Sequence, residues 1–378
     1  MTPRNPFPRF NKRSARPKAR QAGAALLAAM LTVTLVATLA AAALWQQWRA
    51  VEVEEAERAR MQSAWILIGG LDWSRLILRE DGRTGGPDTL TEVWAFPLEE
   101  ARLSSFLSAQ KNVSSADLEG LPDALLSGRI VDAQSKLNVR NLVGANNKPD
   151  PAALASFKKL FALLGLPVGE VDLLASGVQR ATAGITTVTT TTPAPTTAGA
   201  ATDTSTTPAT TTTTTTTTVT TSTSAGDDGQ APSVPLMPVR TSQLVWLGLS
   251  PQTVAALEPY VTVLPAANTR LNINTASAEA IYASVPEMDM ATAKQVVARR
   301  TLKSFTAVKE ADSVLRDQAD AFTDQRHSVG TSYFEVEGKL RLDNTFVEEH
   351  SLLNRNGINV TVLWRERGAG ATLTAAPR

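Results

Sequence analysis

The sequence predicts an α+β protein: a long N-terminal transmembrane helix packed on an antiparallel sheet, with a large all-α domain inserted into that sheet. Three observations predict it. From Gln21 to Gln47 the chain carries no charge, and Ala24–Leu44 is built from Ala, Leu, Val, Met and three threonines. Strand-like segments occur in two widely separated places, near residues 127–139 and 332–364. Between them apolar residues recur at helical spacing.

The helix comes first. The run Ala24–Leu44, wound as a helix, spans about 30 Å, the thickness of a bilayer's apolar core. Thr32, Thr34 and Thr38 interrupt it, but a helical threonine can bond back to its own helix carbonyls. The first twenty residues hold seven cations (Arg4, Arg9, Lys12, Arg13, Arg16, Lys18 and Arg20) and no acid, which places the N-terminus in the cytoplasm. One reading is a plain signal-anchor. A cleaved secretory signal does not fit, because its apolar region is about 7–15 residues long. Trp45-Gln46-Gln47-Trp48 makes an aromatic belt suited to the membrane–water boundary. Good helix formers fill Arg49–Arg60, and Met61, Trp65, Ile68 and Leu71 continue an apolar stripe. Gly69-Gly70 weakens the helix locally, and Asp81-Gly82 is the expected stop. One helix from about Ala24 to about Arg79 is expected, about 80 Å long at 1.5 Å per residue.

Charge and composition exclude several functions. The chain has a formal net charge of +1, but without the leader 30 basic residues face 36 acidic ones. Such an acidic body repels nucleic-acid phosphates unless a local patch overrides it. There is no cysteine, hence no disulfide, thiol nucleophile or cysteine-ligated zinc. His327 and His350 are the only histidines, and their spacing suits neither a His-rich metal site nor a Ser–His–acid set. No glycine-rich phosphate loop is present. The chain is therefore not expected to be an enzyme; a membrane-anchored periplasmic enzyme is the reading that this missing catalytic set opposes.

Strand signals follow. Ser127–Asp132 leads through Ala133-Gln134-Ser135 to Lys136–Val139, which reads as a short strand pair around a polar turn. Ser332–Glu337 precedes Gly338 and Lys339–Leu342, and the last strand is Ile358–Trp364, with Ile358, Val360, Val362 and Trp364 on one face. An isolated hairpin is barely stable in water. Early and late strands are therefore expected to join one sheet against the long helix, leaving residues 144–330 as an insertion.

The insertion reads as helices over Pro151–Leu164, Glu170–Gln179, Ser242–Leu247, Pro251–Tyr260, Ser277–Val285, Met290–Arg300 and Phe305–Leu315. Thr275 and Asp289 are the expected N-caps of the fifth and sixth. Within the low-complexity stretch Thr182–Thr223, Thr210–Thr218 is an unbroken threonine run. It cannot bury enough apolar surface to offset its ordering entropy, so a disordered loop is expected, with an O-glycosylated stalk as the functional alternative. Asn274–Arg300 resembles a helix-hairpin-helix unit. Its turn, Pro286-Glu287-Met288-Asp289, has no glycine and two acids, which favours a structural role over phosphate binding. Asp227 and Asp228, followed by Gly229, offer adjacent carboxylates of the kind calcium accepts; solvated loop charges are the competing reading. Asp320, Asp324 and His327 read as exposed polar residues.

The junction Arg20-Gln21-Ala22-Gly23-Ala24-Ala25-Leu26-Leu27-Ala28 resembles the class III signal of type IV pilins and pseudopilins. The resemblance implies cleavage by a prepilin peptidase between Gly23 and Ala24, with methylation of the new N-terminus. Most such proteins carry Glu at the fifth mature position; here it is Ala28. Together with Gly128-Arg129-Ile130-Val131-Asp132, Leu137-Asn138-Val139-Arg140-Asn141-Leu142 and Leu264-Pro265 followed by Leu271-Asn272-Ile273-Asn274-Thr275-Ala276, the chain resembles the K-type minor pseudopilins of the type II secretion system. That resemblance implies a pilin-like core and a place at the pseudopilus tip with minor pseudopilins I and J. It implies a role in starting pseudopilus assembly and in protein export across the outer membrane. It also implies a single-pass inner-membrane protein with its bulk in the periplasm, in contact with lipid, other pseudopilins and the prepilin peptidase, and with no nucleic-acid partner. Calcium in the insertion is a further implication; the Thr-rich loop interrupts the matching region and leaves Asp227 and Asp228 as the candidates. The alternative is a minor type IV pilin or membrane-anchored DNA-uptake receptor using the helical hairpin. The expected boundaries are a cleaved leader 1–23, the transmembrane part of the helix 24–47, the first part of the core 48–143, the inserted helical domain 144–330 with its disordered loop 181–230, the second part of the sheet 331–368, and a flexible tail 369–378.

Overall fold

Helix α1 runs from Ala22 to Thr84 in a computed structural model that describes residues 22–104, 124–183, 186–187, 219–220, 235–315, 321–342 and 345–369. The chain divides into two units, Met1–Trp65 and Ile66–Arg378. In the first, Thr32, Thr34 and Thr38 each donate their hydroxyl to the carbonyl three residues back, at 2.8, 3.0 and 2.8 Å. Their polar groups are thus satisfied within the helix, as lipid requires. Arg49 lies over the Trp45 ring at 5.1 Å, and the ion pairs Arg58–Glu54 and Arg60–Glu57 link successive turns.

In the second unit, α1 buries Leu67, Leu71, Ser74 and Leu78, spaced i, i+4, i+7 and i+11. Of the expected stripe, Leu71 is buried and Ile68 half-buried, whereas Met61 and Trp65 are exposed. The helix also passes its expected stop. Gly82 stays helical, and α1 ends at Thr84 because Gly85 and Gly86 adopt positive φ of 66° and 117°. Leu71 and Leu78 pack with Trp94, Ile130, Phe334, Val336, Leu353 and Val360. Trp94 and Phe334 meet edge to face with ring centres 5.2 Å apart.

Those residues belong to one five-stranded antiparallel sheet of β1 (Leu98–Arg102), β2 (Ala124–Asp132), β9 (Tyr333–Leu342), β10 (Thr345–Asn356) and β11 (Asn359–Ala369), in that spatial order. The early strand β2 pairs directly with the late strand β9, so the two distant strand regions do share a sheet. Two strands, β1 and β10, join it without having been expected. Gly338 does not divide β9; it sits opposite Gly128, where a Cβ on Gly128 would meet the Glu337 carbonyl oxygen at 2.9 Å.

Three local expectations are corrected. The segment after β2 does not fold back on it: Ala133–Ser135 forms a 3-10 turn, and β3 (Leu137–Asn138) pairs in parallel with β6 (Val261–Thr262). The last strand does not keep one face, because Leu352 pairs with Trp364 while Leu353 pairs with Val362. The bulge at Leu363 moves Trp364 to the opposite face from Val360, against Ala133, Leu264 and Leu352. His327 is buried, not exposed; it stacks edge-on with Phe322 and bonds to Ser284 Oγ and the Thr323 amide.

The residues between β2 and β9 have a separate core around Phe157, Phe161, Leu174, Leu244, Ile281, Val296, Phe305 and Phe322. Helix α2 (Pro151–Leu163) starts with Pro at its first position and the Asp150 carboxylate accepting from the Ala153 amide. Helix α3 (Gly169–Ala183) follows, and beyond the Thr-rich stretch α4 (Pro251–Leu257) is capped by Ser250. Helix α5 (Ala278–Ser284) is capped by Ser277, not by Thr275, and α6 (Met290–Leu302) by Asp289 as expected. Thr241–Leu247 and Val308–Val314 are 3-10 helices. Two further short pairs are β4 (Thr186–Thr187) with β5 (Val219–Thr220), and β7 (Leu271–Asn272) with β8 (His327–Ser328).

Candidate functional site: the joint between sheet and inserted helices

Asp132, the last residue of β2, is fully buried where the sheet gives way to the helical region. Its Oδ1 accepts from the Gln134 amide at 2.7 Å, which fixes the 3-10 turn. Its Oδ2 accepts from Thr275 Oγ1 at 2.6 Å and from Asn272 Nδ2 at 2.8 Å. Burial raises the Asp132 pKa to about 6, while the hydrogen bonds from Thr275, Thr331, Asn272 and Gln134 pull it the other way. Asn272 Nδ2 also donates to the Asp88 carbonyl at 3.1 Å, and Gln134 bonds to both the Arg270 carbonyl and the Ser332 amide. Asn274 pairs with the Phe305 backbone in both directions at 2.9 Å, and Arg300 donates to the Ile273 carbonyl at 2.6 Å. The segment Leu271–Ala276 is therefore a polar clasp that holds α5, α6 and the sheet together. This explains why Thr275 does not cap a helix: its hydroxyl is committed to Asp132.

A second buried polar group lies beside it. Arg355 from β10 pairs with Asp81 and Asp88 and lies over the Phe334 ring at 4.8 Å. Asp88 also accepts from the Thr331 amide, and Glu92 accepts from Trp94 Nε1 at 2.5 Å. Burial raises the pKa of Asp81 and of Glu92. The acids Asp81, Asp88 and Glu92 lie within 4.8 Å of one another, yet two of them are committed to the Arg355 guanidinium. Calcium takes about 6–8 oxygen ligands, so this ion-paired set does not fit it. Asp227 and Asp228 lie outside the described residues.

The helical hairpin turn has the wrong polarity for phosphate. Lys159 from α2 donates to the carbonyls of Val285, Pro286 and Met288 at 2.7, 3.0 and 2.7 Å. Carbonyl oxygens, not amide hydrogens, converge at this turn. Arg300, at the other end of the hairpin, is turned inward onto Ile273, and burial lowers its pKa to about 10.

Gly23, Ala24 and Ala28 all lie in α1 and are exposed. The sequence reading missed Asp132, Lys159 and Arg355 as organising residues. An acid closing the apolar run Ile130-Val131 was the available signal for the first. Nothing in the local sequence marks the other two.

An apolar N-terminal helix, long enough to cross a membrane once, that continues into a sheet-backed stem defines the pilin class of protein. Family models described as type II secretion system protein K match residues 135–266 and 271–330, together just over half of the chain. A protein of Pseudomonas aeruginosa named type II secretion system protein K is 24% identical over 364 residues, covering 93% of this chain and 94% of its own. A chain from the crystal structure of the GspK-GspI-GspJ complex of enterotoxigenic Escherichia coli shares the fold with a TM-score of 0.56. It is 17% identical and covers 85% of this chain and 100% of its own. The chain belongs to the type II secretion system protein K family, the K-type minor pseudopilins.

Proposed function

We propose that this protein stands at the tip of the pseudopilus with minor pseudopilins I and J, starts pseudopilus assembly, and so supports export of folded proteins across the outer membrane. The observation that carries this reading is the helical block rooted between two neighbouring strands, β2 and β9. A subunit inside a filament is covered by the next one; so large a block obstructs that position and suits the end. The Escherichia coli chain of similar fold was crystallised as part of a GspK-GspI-GspJ complex, which favours the same partners here.

Ala28 supports the same placement. An unpaired charge in lipid costs about 2.5–3.5 kcal/mol. A Glu at this position in other subunits would neutralise a neighbour's free amino terminus, and a terminal subunit has one neighbour fewer. In this reading the prepilin peptidase cuts between Gly23 and Ala24 and methylates Ala24. The N-terminus lies in the cytoplasm, the rest beyond Trp48 in the periplasm, and Asp227 and Asp228 take calcium. The inward Arg300 and the carbonyl-lined turn oppose the DNA-receptor alternative.

The test is co-expression of the full chain with the I and J subunits of the same system, purification in detergent, and mass analysis of the N-terminus. A three-protein complex whose K chain begins at methylated Ala24 is expected. Elution of this chain alone would remove the tip assignment; a mature chain still beginning at Met1 would remove the pseudopilin processing.

A further inference from the structure

The Lys159 ammonium has three hydrogens, and three backbone carbonyls of one four-residue segment receive them: Val285, Pro286 and Met288 at 2.7, 3.0 and 2.7 Å. The face of the Tyr282 ring lies 4.0 Å from the same nitrogen. Burial lowers the Lys159 pKa, and the negative potential of Glu287 and Asp289, in the same turn, partly offsets that in favour of the charged amine. Every one of these groups would serve a small cation as well as it serves an ammonium: carbonyl oxygens replace a hydration shell, and an aromatic face attracts positive charge.

We propose that the turn Val285–Met288 is a monovalent-cation site built from backbone carbonyls, and that Lys159 fills it permanently in place of a free ion. The distances choose the class of ion. Calcium needs oxygens at about 2.3–2.6 Å and about 6–8 of them. Three carbonyls at 2.7–3.0 Å suit an ion the size of ammonium or potassium. Supplying that ion from α2 also ties α2 to the α5–α6 hairpin, so the hairpin's closure does not depend on the salt around it.

The experiment uses the full chain in detergent. Lys159→Met keeps the stem's apolar length and removes the charge and its three hydrogen bonds to the carbonyls. Thermal unfolding of both proteins is compared in chloride salts of ammonium, potassium, sodium and N-methylglucamine at equal ionic strength. The parent chain should unfold at the same temperature in all four. Lys159→Met should unfold lower, and recover about 2–4 °C in ammonium or potassium relative to N-methylglucamine. No difference among the salts for the variant would overturn the proposal. A second measurement needs no variant. Lys158 is the built-in control, since it is held by the surface ion pair with Asp172. Amine acylation of the folded parent chain, followed by mass spectrometry, should modify Lys159 at least about tenfold more slowly than Lys158; equal rates would overturn the proposal equally.

Discussion

Thr275 donates its hydroxyl hydrogen to Asp132 across 2.6 Å, joining two residues 143 positions apart. Asn272 reaches the same carboxylate oxygen. Replacing Asp132 by Asn puts an amide donor against either the Asn272 and Thr275 donors or the Gln134 N–H, whichever way the amide is turned. We expect a loss of about 1–3 kcal/mol, because a buried mismatched polar group keeps its desolvation cost without a bond. Thr275→Val, which removes only the donor, should cost less than Asp132→Asn. Urea unfolding followed by circular dichroism measures both, and an unchanged midpoint for Asp132→Asn would contradict the clasp.

The same clasp makes stability depend on pH in a way that two variants separate. Asp132 is held at about 6, above its ordinary 3.8. The folded chain therefore binds that proton more tightly, and the contribution of Asp132 weakens as pH rises from about 4 through 6. His327 is held at about 4, below its ordinary 6.5. Its contribution is complete above 6.5 and is lost as pH falls toward 4. The two slopes oppose each other. Relative to the parent chain, Asp132→Asn should shift the balance toward greater stability at pH 7 than at pH 5, and His327→Asn toward the reverse. Thermal unfolding at the two pH values shows the signs; equal shifts in both variants would refute the assignment.

The strand region was legible in the sequence as two separated clusters that need each other, and the apolar helix as a span of lipid length. β10 was hidden because its buried positions include the polar Glu349 and Ser351, so the apolar–polar alternation that marks a half-buried strand is missing from its sequence. The bulge at Leu363 is a matter of pairing, and no local property of Val362-Leu363-Trp364 announces it. Asp132 and Asn272 both lie in segments that carry the family resemblance, but 140 residues separate them. Their partnership is a product of topology, and spacing along the chain cannot reveal it.

Gly82 gives a prediction whose sign is the opposite of the usual rule. Within a helix, Gly→Ala ordinarily stabilises by about 1 kcal/mol. Here a Cβ on Gly82 would collide with the Gly357 carbonyl oxygen, at the hairpin between β10 and β11. Gly357 has φ of 58° in the tight turn between the two strands, and that turn geometry fixes where its carbonyl points. Gly82→Ala should therefore destabilise by about 1–3 kcal/mol. A raised unfolding temperature for this variant would show that the helix and hairpin are not in contact.

Phe334 has no exposed surface, meets Trp94 in an edge-to-face pair and carries the Arg355 guanidinium over its ring. Phe334→Ala should cost about 3–5 kcal/mol. It should also loosen Trp94, seen as red-shifted fluorescence in a background where the other tryptophans are replaced by Phe. Phe334→Leu, which keeps most of the volume, should recover more than half of the loss.

The backbone leaves the sheet after Asp132 and comes back at Tyr333–Phe334, and the Cα positions of Asp132 and Phe334 face each other across adjacent strands. Whatever is tethered there hangs from two anchor points a single strand spacing apart. Gene changes that lengthen, trim or exchange the tethered part would leave the pairing of the remaining strands in register. The same geometry makes it a natural graft point for a foreign domain whose own ends lie close together, provided Asp132, whose carboxylate Thr275 and Asn272 of the tethered part satisfy, is exchanged with it.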